Sequence, residues 1–469
     1  MLSLQSRGSR LCDGISRREL LRAGGLSFGG LSLASLLAKP VLASATGGGA
    51  GRAKACVVLF LMGGPDQHST WDPKPDAPPE VRGAFAPIST RVPGVQFGEL
   101  MPKLAQRADK LAVLRAVSTG DNAHSSSGYY MLTGRPHTPT NVENANPGFP
   151  NDWPNWGSVV QRLTEATGRR NGDLPTSMRL PNHIFNTDGS TWPGQDGGML
   201  GHAADPWLFR CAPADPGFRI AELQLPDDVS LDRLAIRRDL VRDIDRQSKV
   251  ASTSLLKAFG DHQQRAYGVL SSAASRGAFD LAAESAETRA RYGMTQFGQS
   301  CLLARRLVEA NVRLVQVNWH RGPDEPASNP CWDSHTDETN RLKKVLVPPT
   351  DDGFSSLLDD LSDRGLLDET LVVCMSEFGR SPRLNGAGGR DHWGSVFSVA
   401  MAGGGIRGGV VHGASDALGA FPRAGLVRPE DIVATIFHCL GYAPETEIYD
   451  RQNRPHAICQ GKVLQALVG

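Results

Sequence analysis

Five short stretches of this 469-residue chain are dominated by apolar and β-branched residues, and each stops at glycine, proline or polar residues. Residues 54–62 (K-A-C-V-V-L-F-L-M) are nearly all apolar and end at Gly63-Gly64-Pro65, the pattern of a strand covered on both faces rather than an alternating edge strand. Residues 111–117, 312–318, 371–375 and 395–401 are predicted strands of the same kind. A helical period over 295–310 leads into the third of them, and another over 354–364 leads into the fourth. This alternation predicts an α/β fold: a doubly wound, mainly parallel sheet with helices on both faces.

Two regions depart from the alternation. Residues 139–217 are rich in Pro, Asn, Trp and Gly and predict long ordered loops with one short strand near 178–185. Residues 231–291 are charged and helical, with Leu234, Leu240, Val241 and Ile244 on one face, and predict an inserted helical hairpin within about 228–295. With no internal repeat, one domain over 46–469 is the economical arrangement. Gly403-Gly404-Gly405-Ile406-Arg407-Gly408 has the G-x-G-x-x-G spacing, but Gly409-Val410-Val411-His412 follows in place of a helix. It therefore reads as a glycine-rich β-hairpin, not a dinucleotide loop.

The first 45 residues stand apart from this body. Ser16-Arg17-Arg18-Glu19-Leu20-Leu21 is a twin-arginine signal, an apolar stretch follows over 23–38, and Ala43-Ser44-Ala45 supplies a small-x-small cleavage site. Gly24, Gly25, Gly29 and Gly30 interrupt that short stretch, which argues against a retained transmembrane anchor. A periplasmic or otherwise extracytoplasmic mature protein is expected. Fifty basic and 49 acidic residues nearly cancel, and no basic run suggests a nucleic-acid track. The seven cysteines beyond the signal show no C-x-x-C spacing and cannot all pair within the chain.

Candidate chemistry collects in four loops, each after a predicted strand. They carry Asp66, His68 and Asp72; Asp121, His124 and Ser125 to Ser127; His320, Asp333 and His335; and Glu377 with Asp391-His392. Parallel strands would bring the four loops to one edge of the sheet. Mixed carboxylate and imidazole groups suit a divalent ion, and a nearby serine suits a nucleophile. Simpler roles compete: turn hydrogen bonds for Asp66, His68 and Asp72, and a helix N-cap for Ser125 to Ser127. His438 reads as a packed core residue and His262 as a solvated one.

The stretches Gly63-Gly64-Pro65 to Pro73, Asn122-Ala123-His124-Ser125-Ser126 to Thr133-Gly134, Trp332-Asp333-Ser334-His335, Glu377-Phe378-Gly379-Arg380 and Gly389-Arg390-Asp391-His392-Trp393 carry a resemblance over nearly the whole chain. With Ser16-Arg17-Arg18 and Asp450-Arg451 to Pro455, they resemble the DUF 1501 family of exported bacterial proteins, itself similar to the alkaline phosphatase/sulfatase superfamily. That resemblance implies a doubly wound sheet and metal-assisted transfer at phosphate or sulfate esters. Where the superfamily ends its first strand in Asp-Gly, this chain has Met62-Gly63, which leaves Asp66, His68 or Asp72 as ligands from that loop. The slot for the nucleophile falls on His124, with Ser125 beside it. The sulfatase Cys-x-Pro-Ser-Arg is absent, and the late Asp-His pair becomes Glu377-Phe378.

The expectation is an exported metal-dependent hydrolase acting on a small-molecule or polymer ester. Asp333, His335 and His392 would bind a divalent Zn, Mn or Ca ion, and Glu377 would serve as a further ligand or a base. Ser125 would be the nucleophile, with His124 alternatively in a metal or acid-base role. The rival expectation is a non-catalytic exported binding module with a degenerate site.

Overall fold

The computed structural model describes residues 51–168, 172–218, 229–247, 267–321, 325 and 330–469, all within one compact unit, Ala45–Gly469. The twin-arginine segment and part of the charged helical region, including His262, lie outside the described residues.

An eight-stranded sheet organises the chain. Its strands are β1 (Ala55–Phe60), β2 (Leu111–Val117), β3 (Ser177–Leu180), β4 (Trp207–Leu208), β5 (Leu314–Asn318), β6 (Thr370–Met375), β7 (Phe397–Ala402) and β8 (Val410–His412). They are ordered β8-β2-β7-β6-β1-β5-β3-β4. β1 pairs in parallel with β5 on one side and β6 on the other, and the two cores on either side of the sheet bury both of its faces. Alternate side chains of a strand point to opposite faces: Val57 and Leu59 enter one core, Cys56, Val58 and Phe60 the other. This explains the unbroken apolar run. Helices α4 (Gln296–Glu309) and α5 (Val347–Asp363) cover the first face. Helices α2 (Trp156–Ala166) and α6 (Pro429–Cys439) cover the second. Helix α1 (His124–Thr133) follows β2, and α3 (Leu231–Gln247) lies in the charged region.

The doubly wound, mainly parallel sheet agrees with the sequence, with β7 its antiparallel member, and three local readings change. β7 runs antiparallel to both β2 and β6. Residues 403–412 form no hairpin, because β7 already has a strand on each side. Three successive positive-φ glycines, Gly403, Gly404 and Gly405, instead start a connection to the free edge of β2, where β8 pairs in parallel. The first turn of α1 contains Ser125 to Ser127, whereas its N-cap is Ala123. Leu234 is buried, but Leu240 is 58% exposed and does not join it. Among the described residues the seven cysteines are free thiols, and no helix is long and apolar enough to cross a membrane.

The C-terminal ends of β1, β2, β5 and β6 therefore share one edge, and the reversed β7 begins there too. Phe60 closes the second core just beneath that edge, with its ring edge-on to Trp192 at 6.4 Å. Phe60→Ala is expected to cost about 3–5 kcal/mol in denaturant unfolding; a loss below about 1 kcal/mol would contradict this packing.

Candidate metal centre

The loop after β1 turns sharply at Gly63, whose φ of +110° disfavours any side chain. A Cβ there would lie 2.3 Å from the Asp333 amide nitrogen. Glycine thus lets the 332–333 segment lie directly on the end of β1, where the Trp332 amide donates to the Met62 carbonyl at 3.0 Å. Arg380, fully buried, fixes the same junction. Its Nε donates to the Gly64 carbonyl (2.9 Å) and Nη1 to the Arg390 carbonyl (3.1 Å), while Nη2 reaches the carbonyls of Gly63 and Trp332 and Oδ1 of Asp333. A buried guanidinium is tolerable only when its donors are met in this way.

Three polar atoms converge above this junction. Asp333 Oδ1 is 2.9 Å from His335 Nε2 and 3.0 Å from His392 Nε2, and the two imidazole nitrogens are 3.0 Å apart. The opposite ring nitrogens face acceptors too. His335 Nδ1 faces Asp391 Oδ1 at 3.2 Å, and His392 Nδ1 faces the Asn122 carbonyl at 2.7 Å. Asp333 Oδ1 on the Nε2 side can likewise only accept, so each ring has an acceptor at both nitrogens. When the single proton of a neutral ring goes to Asp391 or to the Asn122 carbonyl, Nε2 is left as a lone pair. In that state both Nε2 lone pairs aim at each other and at a carboxylate oxygen. Mutually repelling lone pairs require a positive charge between them, a proton or a metal ion. Donor atoms about 3.0 Å apart with metal–ligand bonds of about 2.1 Å subtend angles near 90° at the ion, which suits three donors on one face of a metal. Outer partners that fix the ring proton are the usual support of metal-binding histidines.

His124 stands at the start of α1 on the other side of Asp333. Its Nδ1–H donates to Glu377 Oε1 at 2.7 Å, and its Nε2 lies 3.3 Å from Asp333 Oδ2. Glu377 is fully buried, accepting the Gly63 amide on Oε1 (2.8 Å) and the Ser376 hydroxyl on Oε2 (2.6 Å). Burial disfavours a charged His124, but its hydrogen bonds to the Asp333 and Glu377 carboxylates outweigh this and raise the imidazole to about 10. His392 goes the opposite way, lowered to about 4, chiefly by burial. His335 is raised, first by its hydrogen bond to Asp333. Burial pushes the Asp333 carboxyl upward, yet Arg380 and the three imidazoles overcome it and hold the group far below the usual carboxylate range.

The structure thus brings Asp333, His335, His392, His124 and Glu377 together, and Glu377 grips His124 rather than joining the three converging atoms. Other sequence candidates go elsewhere. Ser125 is fully buried; its hydroxyl donates to the Val142 carbonyl and accepts the Ala145 amide, both at 2.9 Å. That hydroxyl staples a loop and is not presented as a nucleophile. Asp66 binds His68 Nδ1 (2.9 Å) and the Ser69 hydroxyl (2.6 Å), and His68 Nε2–H donates to the Leu418 carbonyl at 2.8 Å. Asp72 holds Lys74 and Ser415. These three stabilise the loop after β1 and leave the metal position without a ligand from it. Phe378 stacks on His392, with centroids 4.6 Å apart, and tilts against His124 at 4.9 Å.

Three contributors were not singled out from the sequence: Arg380, the Asn122 carbonyl and Glu143. Arg380 sits within the Glu377-Phe378-Gly379-Arg380 motif, so its signal was present; the other two are visible only in three dimensions. Glu143 Oε1 accepts the His124 backbone amide at 2.9 Å, and burial raises its carboxyl. A second triad of His124, Glu143 and His392 also has metal-like spacing. The His392 atom near Glu143 is Nδ1, at 3.7 Å, and it already faces the Asn122 carbonyl, which favours the Asp333, His335 and His392 set.

The sign of the Asp333 shift makes a pH prediction. A carboxyl depressed in the folded state stabilises fully above its unfolded value, and that contribution is lost as pH falls through the folded value. Asp333→Asn should therefore melt below the wild type at about pH 6, and the gap should narrow as pH is taken from about 4 towards 2. A gap independent of pH would rule out the charged carboxylate as its source.

Comparison with known proteins adds a family and a distant likeness. The profile of a family described as "Protein of unknown function (DUF1501)" matches residues 53–468. No curated protein matches the sequence. Among solved structures, a sulfatase from Pseudoalteromonas sp. is similar at 13% identity and a TM-score of 0.37, over 84% of this chain and 68% of that one. A phosphonate monoester hydrolase of Agrobacterium radiobacter is similar at 13% identity and 0.39, over 88% and 76%. A protein in the alkaline phosphatase superfamily from Vibrio parahaemolyticus is similar at 10% identity and 0.35, over 88% and 77%. Likeness this distant carries no functional argument.

Proposed function

The chain belongs to the DUF1501 family, whose description names no reaction, and from the geometry of the centre we propose an exported, metal-dependent hydrolase of phosphate or sulfate esters. One observation carries the reading: two imidazole Nε2 atoms and Asp333 Oδ1 converge on a single point, with an acceptor at each Nδ1 to take the ring proton when Nε2 binds an ion. Asp333, His335 and His392 would hold the ion. Two nitrogen donors suit Zn or Mn better than Ca, which prefers an all-oxygen shell. When bound, a divalent ion supplies a Lewis acid that polarises the ester and lowers the pKa of an attacking water.

The rest of the chemistry belongs to the chain. His124, protonated at neutral pH and aligned by Glu377, gives its Nε2 proton to the leaving oxygen as the bond to phosphorus or sulfur breaks. Arg380 keeps Asp333 ionised and the 332–335 segment in place. With Ser125 held in its loop, water takes the part of the nucleophile. The signal over 1–45 sends the protein to the periplasm, where the substrate is a small-molecule or polymer ester. A non-catalytic binding module is the second reading. It is favoured by Phe378, which fills the space beside His392 and His124 with hydrocarbon.

Metal analysis of protein purified without added metal should find about one equivalent of a divalent ion. His335→Ala and His392→Ala should lose it, and Asp391→Ala should weaken it by about 10–100-fold. Less than stoichiometric metal that neither histidine substitution alters overturns the metal centre. On a panel of aryl phosphates and sulfates, His124→Ala should retain the metal and lower kcat by about 10²–10⁴-fold. Stoichiometric metal with no turnover by the wild type favours the binding module instead.

A further inference from the structure

A cavity of about 410 Å³ opens from the metal centre along the edge of the sheet. His124, Gly63 and Asp333 line one part of it, and His183, Arg210, His320 and Arg321 line another. The strand order separates the two. Gly63 follows β1 and Asp333 lies against it, whereas His320 follows β5, His183 follows β3 and Arg210 follows β4. With neighbouring strands about 4.8 Å apart, the step from β1 to β3 is about 10 Å.

The chemistry of this second wall is the reverse of the first. Arg179 is buried, and its Nη1 lies 2.8 Å from His183 Nδ1. A guanidinium can only donate, so His183 Nδ1 is an acceptor and its Nε2 carries the proton. At the neighbouring loop, the Asn182 side-chain amide donates to His320 Nδ1 at 3.1 Å, leaving the Nε2 proton on His320 as well. Burial lowers the pKa of both rings, which keeps them neutral single donors. Arg210 and Arg321 add two positive charges to the same wall. Of the acids here, Glu325 has its Oε2 on the Cys331 amide at 2.6 Å, and Glu143, which lines the cavity on the His124 side, has its Oε1 on the His124 amide at 2.9 Å. At the metal centre, imidazole lone pairs face inward; here imidazole N–H groups and guanidinium groups do.

We propose that this wall is a second anion site, and that the ligand is an ester with another anionic group, a carboxylate, sulfate or phosphate, about 10 Å from the ester undergoing reaction. His320 supplies a neutral N–H donor, as does His183, which also bonds the Gln195 side chain, and Arg210 and Arg321 supply charge. The buried Trp192 and Trp319 line the cavity as well and offer flat apolar surface to the body of the ligand. The proposal deepens the hydrolase reading, which it needs for the placement of the reacting group, but the wall itself does not depend on the metal.

Two non-hydrolysable ligands test it by calorimetry on the metal-loaded protein: phenylphosphonate, with one anionic group, and 4′-phosphonobiphenyl-4-carboxylate, with a second across a longer rigid body. The biphenyl ligand should bind at least about tenfold more tightly. The exposed pair Arg210→Ala/Arg321→Ala should abolish that gain and leave phenylphosphonate affinity unchanged. The neutral ligand 4′-phosphonobiphenyl separates charge from added apolar area: its affinity should be the same with and without the two arginines. Equal affinity of the carboxylated and neutral biphenyl ligands in the wild type, or a carboxylate gain that survives the double substitution, overturns the proposal. In the His335→Ala protein, biphenyl-4-carboxylate should still bind in an arginine-dependent way. Persistence of that binding in a protein that fails to take up metal would uphold the anion wall while the hydrolase reading fell; its loss on replacing His335 would overturn a wall independent of the metal.

Discussion

The candidate site depends on one buried contact, the Arg380 guanidinium against Asp333 and four backbone carbonyls. Those carbonyls come from three separate loops, after β1, before Asp333 and before His392, which a few backbone hydrogen bonds, such as Trp332 N–H to Met62 and Arg390 N–H to Ser334, also tie together. Burying a full charge is costly unless each donor finds an acceptor. The arrangement therefore holds only while all three loops keep their positions together. Breaking it would leave an uncompensated cation in the core and release Asp333, the residue shared by His124, His335 and His392. Precision at the centre follows from this interdependence rather than from any single ligand.

The reversed strand β7 is the second constraint. It carries the chain back to the edge where the parallel strands end, so the loop before it delivers His392 to the residues after β1, β2 and β6. An all-parallel sheet would have put that loop at the opposite edge. Gly389 helps to fix its path: a Cβ there would lie 2.1 Å from the His335 backbone. His335 and His392 belong to different loops, yet their ring nitrogens meet because those backbones touch.

The sheet was largely legible in the sequence because its strands are buried on both faces and so announce themselves as apolar runs. Residues 111–117 match β2 residue for residue, and the others shift by only a few positions. Strand direction was not legible, since an apolar run looks the same in either orientation, and so the hairpin reading of 403–412 failed. At the site, Asp333, His335, His392, His124 and Glu377 could be named from residue type and position at strand ends. Their division of labour could not. Ser125 and Asp66 are equally chemistry-bearing residues after strand ends, and only their partners, the Val142 carbonyl and the His68 ring, distinguish a staple from a reactive group. The Asn122 carbonyl illustrates the limit most clearly: a backbone oxygen is the Nδ1 partner of His392, and every residue has one.

Protonation then links the two walls of the cavity. A histidine is a lone-pair donor or an N–H donor according to what its other nitrogen meets. His335 and His392 meet acceptors and turn lone pairs inward; His183 and His320 meet donors and turn protons inward. The same side chain thus makes a cation-seeking corner behind Asp333, at one end of the cavity, and an anion-seeking wall within it. Phe378 fits this division. Its ring occupies the space beside His392 and His124 where another imidazole would extend the cation-seeking corner. The corner is thereby limited to the three atoms around one point, and positive charge further along the cavity comes from arginines. Recognition of a ligand with two anionic ends follows from that separation, because a single anion would satisfy only one of them.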